Sequence, residues 1–212
     1  MKRIIFFLSV IFIVTLSWLI PSSEFNLLIT IALALLFLLV SGFLLIFKKI
    51  NRRYFRIPLS IIGICFLGVV VSLFRPYEKS AVMTSGSIDE KLQYAYKTDQ
   101  SDRKQLRSFI GLFSKLEERD DQRLTQVKQL SHNRSLLKPI DKFYAAFIYH
   151  HSENSTDYEV ASKLSAQAAE SEQLQDHYQV QWLKKAAYDR YMVSIGKPEK
   201  YNTQNSFSVE VE

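Results

Sequence analysis

The chain is poor in the residues from which most catalytic and metal centres are built. It has 212 residues with one cysteine, four histidines, six glycines and five prolines. A single thiol, Cys65, excludes an internal disulfide framework and every zinc site that needs paired cysteines. There is no His-x3-His spacing, so no metal site is expected. No nucleophile elbow and no phosphate-cradling glycine loop is present. No cofactor is expected. No stretch alternates strongly enough in hydropathy to predict a strand.

Acid is nearly missing from the first third. Within residues 1–74 the only acidic residue is Glu24, against Lys2, Arg3, Lys48, Lys49, Arg52, Arg53 and Arg56. That excess accounts for the whole formal charge of +6, because residues 75–212 hold twenty basic and twenty acidic side chains. The charge is therefore a matter of membrane topology. With no clustered basic patch in the neutral remainder, nucleic acid is not an expected partner.

Three long apolar runs fill this region, at about 4–20, 27–47 and 58–74. Crossing a hydrocarbon core takes about 20 apolar residues at 1.5 Å rise. The second run meets that length. The first and third are slightly short and rely on thinning or snorkelling flanks. None of the runs carries a polar stripe of the kind a soluble amphipathic helix shows. None carries an acid, a base or a histidine within the apolar stretch, which argues against a carrier or pump. Lys2-Arg3 resembles the start of a signal peptide, but Trp18-Leu19-Ile20-Pro21 offers no small-x-small cleavage site. Trp18, Phe25, Tyr54, Phe55 and Tyr77 fall where interfacial aromatics belong. Gly63 and Gly68 read as ordinary glycines of a span, since their spacing differs from that of helix-dimer motifs.

The Lys/Arg bias sets an orientation. The N-terminus and the Lys48–Ile57 loop are basic, whereas the Pro21–Asn26 loop has no lysine or arginine. The expectation is a multi-pass protein of the bacterial cytoplasmic membrane, with its N-terminus in the cytoplasm and residues after 74 outside.

Residues 75–86 read as a linker, 87–207 as one soluble domain of five or six helices and 208–212 as a tail. Leu106, Phe109, Ile110, Phe113 and Leu116 recur at helical steps, and Leu124, Val127 and Leu130 continue them. Pro139 suits the first turn of a helix that runs to His151. Thr156 and Glu159 fit a capping box. Alanines in the last two helices predict a close antiparallel hairpin, and Gly196 with Pro198 marks its end. The expected fold class is all-α, three transmembrane helices followed by a soluble helical domain. The hairpin is similar to the helix pairs of tetratricopeptide or Sel1-type repeats, without a second copy at a fixed period.

Three blocks carry a family resemblance. They are Asp120-Asp121-Gln122-Arg123, the helix Tyr144 to Ser152 with its paired alanines, and Asp189-Arg190 through Gly196-Lys197-Pro198 to Tyr201-Asn202-Thr203-Gln204. Together, residues 120–204 resemble an uncharacterised bacterial domain family, one of the domains of unknown function. The resemblance leaves the spans out and implies no activity. His150, Ser152, Glu199 and Asn202 stand where the family has Gln, Gly, Gln and Gly. Asn tolerates a positive φ better than other non-glycine residues.

His151 and Asp189 are the candidate catalytic residues, and Asp121, Arg123, Arg190, Lys197, Tyr201 and Gln204 the candidate binding residues. A pocket formed by His151, Asp189, Arg190, Lys197, Tyr201 and Gln204 would suit an anion. The competing reading is structural: His151 bonding a helix end, Arg190 pairing with Asp120 or Asp121, and the 196–204 loop folding back on two helices. Two functions follow. One is a membrane-anchored helical interaction module, whose partners are the bilayer and a protein or envelope component. The other is an enzyme with His151 as acid or base and Arg190 or Lys197 as anion ligand.

Overall fold

The structure, a computed structural model, describes residues 2–47, 52–133 and 138–204. Those residues contain eight α-helices and no strand. They divide into two compact units, one of Met1–Glu78 with Arg103–Lys115 and the other of Lys79–Asp102 with Leu116–Glu212.

The first unit is built on α1 (Lys2–Leu19), α2 (Ser23–Ile46) and α3 (Arg56–Leu73). By length and composition, Ser23–Ile46 and Arg53–Leu73 are long and apolar enough to cross a membrane; the apolar helix Ile4–Leu19 is shorter. Helix α3 packs against both α1 and α2. The contact centres on Gly68, where an added Cβ would lie 2.6 Å from Ile13, 2.7 Å from Leu27 and 2.7 Å from the Ser17 hydroxyl. Gly68 is thus a packing point, unlike Gly63, which has open space around it. Small residues of this kind let apolar helices approach closely. The outward faces are apolar, with Phe12, Leu33, Leu36 and Phe66 all exposed.

One end of this bundle is polar inside. Arg75, only 4% exposed, donates to the carbonyls of Ser17 (3.1 Å) and Ile20 (2.9 Å) at the end of α1. Its guanidinium lies 3.9 Å from the buried Glu24 carboxylate at the start of α2. A cation on the last carbonyls of a helix and an acid in the first turn of the next both oppose the helix dipoles favourably. Arg75, which follows α3, thereby joins the ends of all three helices.

Residues 103–115 are not the amphipathic helix that their spacing predicts. Only Leu106–Phe109 forms a 3₁₀ turn, and the chain then turns again before α5. Tertiary hydrogen bonds override the spacing. The Leu106 N–H donates to Glu24 (3.1 Å), Ser22 donates to the Lys104 carbonyl (3.1 Å), and Arg107 donates to the Arg75 carbonyl. The expected 75–86 linker is also packed at both ends. Ala81 is buried, and its carbonyl accepts from Thr98, while the Met83 carbonyl accepts from Gln126.

The second unit holds α4 (Ile88–Arg103), whose last residue is counted with the first unit, together with α5 (Leu116–Asn133), α6 (Pro139–His150), α7 (Ser155–Ala169) and α8 (Tyr178–Ser194). Helix α6 is its central element. Phe143, Ala145, Ala146, Phe147, Ile148 and Tyr149 are all buried, together with Asp141 and His150. Tyr96 of α4 stacks on Tyr144 at 5.0 Å and meets Phe143 and Phe147 edgewise or tilted. Ala161 and Ala168 of α7 and Ala186 and Ala187 of α8 are buried, and the two helices pack closely and antiparallel.

Two caps differ from expectation. Asn154 caps α7, accepting from the Asp157 N–H at 2.9 Å, so the cap lies two residues before Thr156, and Glu159 pairs with Lys163 instead. A reciprocal capping box forms at α4, between Ser87 and Glu90.

The two glycines of α3 provide an internal control. Gly68→Leu should destabilise the first unit by about 1–3 kcal/mol through overpacking, and Gly63→Leu by much less. Thermal unfolding of the detergent-solubilised protein measures both. Equal effects would contradict a specific close approach at Gly68.

Candidate functional site

The C-terminal loop is organised by one carboxylate. Asp189, fully buried on α8, accepts the backbone N–H groups of Lys200 (2.8 Å), Tyr201 (3.0 Å) and Thr203 (3.1 Å) and the Thr203 hydroxyl (2.9 Å). Burial pushes its pKa up, but these four donors outweigh burial and hold it below the ordinary carboxylate value. The chain reaches Asp189 through a Schellman motif. Gly196, at φ 72°, donates to the Val193 carbonyl at 3.0 Å, and the Lys197 N–H donates to the Met192 carbonyl at 2.9 Å. Asn202, at φ 57°, takes the second left-handed position. Gln204 donates to the Ala186 carbonyl, and its N–H donates to Glu199. The loop thus folds back onto α8, and Asp189 acts as its internal cap.

A second polar array joins α4 to α5. Arg119 grips Asp102 with two hydrogen bonds, of 2.7 and 3.3 Å. Arg123, with no exposed surface, donates to Asp102, to Asp120 (2.8 Å) and to the Thr98 hydroxyl (3.2 Å). Thr98 and Asp102 are four residues apart on α4, as Arg119 and Arg123 are on α5, so one face of each helix supplies the ladder. Asp99, beside Thr98, is buried and lies 3.1 Å from Nδ1 of His151 at the end of α6. In the neutral ring, an Nδ1 proton donates to this carboxylate and leaves Nε2 as the basic nitrogen. Phe147 packs edgewise on the same ring at 5.2 Å.

A third array joins the starts of α4 and α6. Lys138 pairs with Asp89, and Asp141 lies against Asp89. Burial, then the Asp89 carboxylate, pushes the Asp141 carboxyl up to about 6. Lys138 holds Asp89 below its ordinary value, so the shared proton resides on Asp141.

The structure distributes the sequence-predicted site residues among separate partners. His151 belongs with Asp99. Arg190 lies over the Tyr158 ring at 4.8 Å and donates to its hydroxyl, and Asp120 pairs with Arg123, so Arg190 does not take Asp120 as its partner. Asp189 is covered by its own loop. Lys197 and Gln204 line an open depression of about 540 Å³ with Val193, Pro198, Glu199 and Asn202. Tyr201 meets Tyr188 edge to face. Asp121 lines a different open depression, of about 410 Å³, with Val82, Gln122 and Gln126. Among the described residues, no three His, Cys, Asp or Glu side chains gather as a metal site would require. Sequence reading missed Asp99, Asp102, Arg119 and Asp141. The four-residue spacings on α4 and α5 were the available signal for the ladder.

No family model, curated protein or solved structure matches the chain. The likeness of residues 120–204 to an uncharacterised family therefore stands on its quoted motifs alone.

Two measurements check these assignments. Asp189→Ala leaves three N–H groups without their acceptor and should cost about 3 kcal/mol or more. Because its native pKa is depressed, Asp189 stabilises the fold above its ordinary pKa and loses that effect as pH falls through the native value. The gap in melting temperature between wild type and Asp189→Ala should therefore shrink on acidification. Asp141 has the opposite sign. Its raised native pKa means that the folded state binds the extra proton between about pH 4 and pH 6, so its contribution falls as pH rises through that window. Asp141→Asn should gain melting temperature relative to wild type from pH 4 to pH 7. A constant difference would disprove the shared proton.

Proposed function

We propose that this chain is a multi-pass protein of the bacterial cytoplasmic membrane. Its three apolar helices anchor a helical interaction module on the extracytoplasmic side. The observation that carries this reading is the first unit's inverted surface. Apolar side chains face outward along α1, α2 and α3, while the polar side chains at one end turn inward: Arg75 bonds the last carbonyls of α1, and Glu24, 3.9 Å from it, accepts from the Leu106 N–H. A bilayer is the solvent such a surface suits. Helix α1, at 18 residues, is about 27 Å long, close to the hydrocarbon thickness.

The charge pattern supports the orientation. Arg75, at the far end of α3, is matched with Glu24, so it adds no uncompensated positive charge on that side. The Lys/Arg bias lies with the N-terminus and the 48–57 loop. The module role draws support from the second unit's shape. Its depressions near Lys197 and near Asp121 are open, whereas small-molecule sites usually bury most of their ligand. Recognition of a peptide, an envelope component or another membrane protein over such surfaces fits better than enclosed catalysis. An enzymatic reading rests on the His151–Asp99 pair, which has the form of a base with an orienting acid.

Alkaline phosphatase and green fluorescent protein, fused separately at the C-terminus, test the topology. The expected result is an active phosphatase and no fluorescence. Fluorescence with a dead phosphatase would overturn the span count or the orientation.

A further inference from the structure

Residues 103–115 leave the second unit's helices and belong to the end of the apolar bundle. They are held there by the ends of all three bundle helices. Ser22 and Glu24 at the start of α2 bond the Lys104 carbonyl and the Leu106 N–H, and Arg107 donates to the carbonyl of Arg75 after α3. Arg75 in turn holds the last carbonyls of α1. Arg107 lies over the Tyr77 ring at 3.6 Å, and Phe113 meets Phe74 edge to face at 5.2 Å. The tip of this loop is apolar and uncovered, with Phe109 at 73% and Leu112 at 88% exposure. Both residues lie outside the apolar runs of the spans. Exposed lysines, Lys104 and Lys115, flank the tip on either side.

We propose that this loop is a second membrane contact, an interfacial anchor that seats Phe109 and Leu112 at the boundary of headgroups and acyl chains. The inference rests on the reading of α1–α3 as spans, because the residues that fix the loop are the residues at which those spans end. Its depth is therefore set by the bundle. Phe74 and Trp18, both exposed at the same end of the bundle, mark the interfacial level where aromatic rings concentrate. The backbone suits this level. The N–H groups of Ser108, Ile110, Phe113 and Ser114 are satisfied by Gln105, Arg107 and Ile110 carbonyls in consecutive tight turns. A non-helical loop is excluded from the hydrocarbon centre but is admissible at the interface, where water and headgroups reach its remaining polar groups. The lysines at its base are placed to meet lipid phosphates while the apolar tip enters. An outer-leaflet surface is thus the occupant that matches the tip's composition, its flanking charges and its attachment.

Site-directed spin labelling of the full chain in phosphatidylglycerol–phosphatidylethanolamine nanodiscs tests this. In a Cys65→Ala background, single labels are placed by Leu112→Cys at the loop tip, Leu36→Cys on the exposed face of α2 and Glu172→Cys on an exposed turn of the second unit. Collision rates are read with oxygen and with a water-soluble nickel chelate. The Leu36 label should be rich in oxygen and shielded from nickel. The Leu112 label should show oxygen access above that at Glu172 and nickel access lower by about threefold or more, as for a residue seated a few ångströms into the bilayer. If Leu36 is lipid-buried but Leu112 matches Glu172, the anchor is wrong and the spans stand. Low access to both reagents at Leu112 means that protein covers the tip, which also overturns the proposal. A water-accessible Leu36 removes the membrane reading and the anchor with it.

Discussion

The buried guanidinium of Arg75 is the constraint on which the first unit depends. Three helices with apolar outer faces have little reason to choose one arrangement, since any pair of greasy surfaces attracts any other to a similar degree. Arg75 removes that freedom. It needs acceptors, and it finds them in the free carbonyls of α1 and near the only acid of the first 74 residues, at the start of α2. Because Arg75 immediately follows α3, one side chain registers three helix ends. Gly68, within α3, lets Ile13, Ser17 and Leu27 of the other two helices approach closely.

The second unit uses the same device. Helix α6 is buried along most of its length, and its apolar side chains alone would be satisfied by many packings. Polar and ionisable residues fix which helix goes where: Asp102 between Arg119 and Arg123, His151 against Asp99, and Asp141 against Asp89. Each ties α4 to α5 or to α6. Breaking one partner of such a buried set costs far more than an exposed pair would, because the remaining charge stays desolvated. Asp189 does the same for the C-terminal loop, and it shows why the most distinctive motif of the chain is not by itself a site. Its Asp, Gly, Asn and Thr are occupied in closing a loop.

A division of labour follows. On the proposed function, the first unit supplies attachment; the second turns its buried polar groups to structure. What stays outward on the second unit near Lys197, Glu199, Lys200 and Gln204 is a shallow polar depression. The His151 imidazole faces the buried Asp99 carboxylate at 3.1 Å.

Most local signals were read well, although the cap of α7 is Asn154 and not Thr156. Pro139 at a first turn, Gly196 at a helix end and the apolar runs of α2 and α3 act through backbone geometry or through a solvent that every residue of the run meets alike. Asp189-Arg190 and the Gly-Lys-Pro turn were legible as something specific, but their meaning was not. A buried carboxylate that caps a loop and one that holds a ligand have the same sequence. The spacing of Leu106, Phe109, Ile110 and Phe113 misled because periodicity measures amphipathicity and not the hydrogen bonds that compete with a helix. The N–H of Leu106 is taken by Glu24, which lies 82 residues away in the chain.

The sequence by itself determined the helical class, the apolar character of the first 74 residues, their one-sided charge and the places where helices must stop. These are properties of single segments in a solvent. Tertiary structure alone decided that residues 103–115 return to the apolar bundle, that Arg123 and Asp189 are internal, and that His151 faces Asp99 while Arg190 faces Tyr158. Each of those outcomes depends on which distant group satisfies a buried charge. No periodicity or composition records that choice, because a charge excluded from water is answered by whatever the fold brings to within hydrogen-bonding distance.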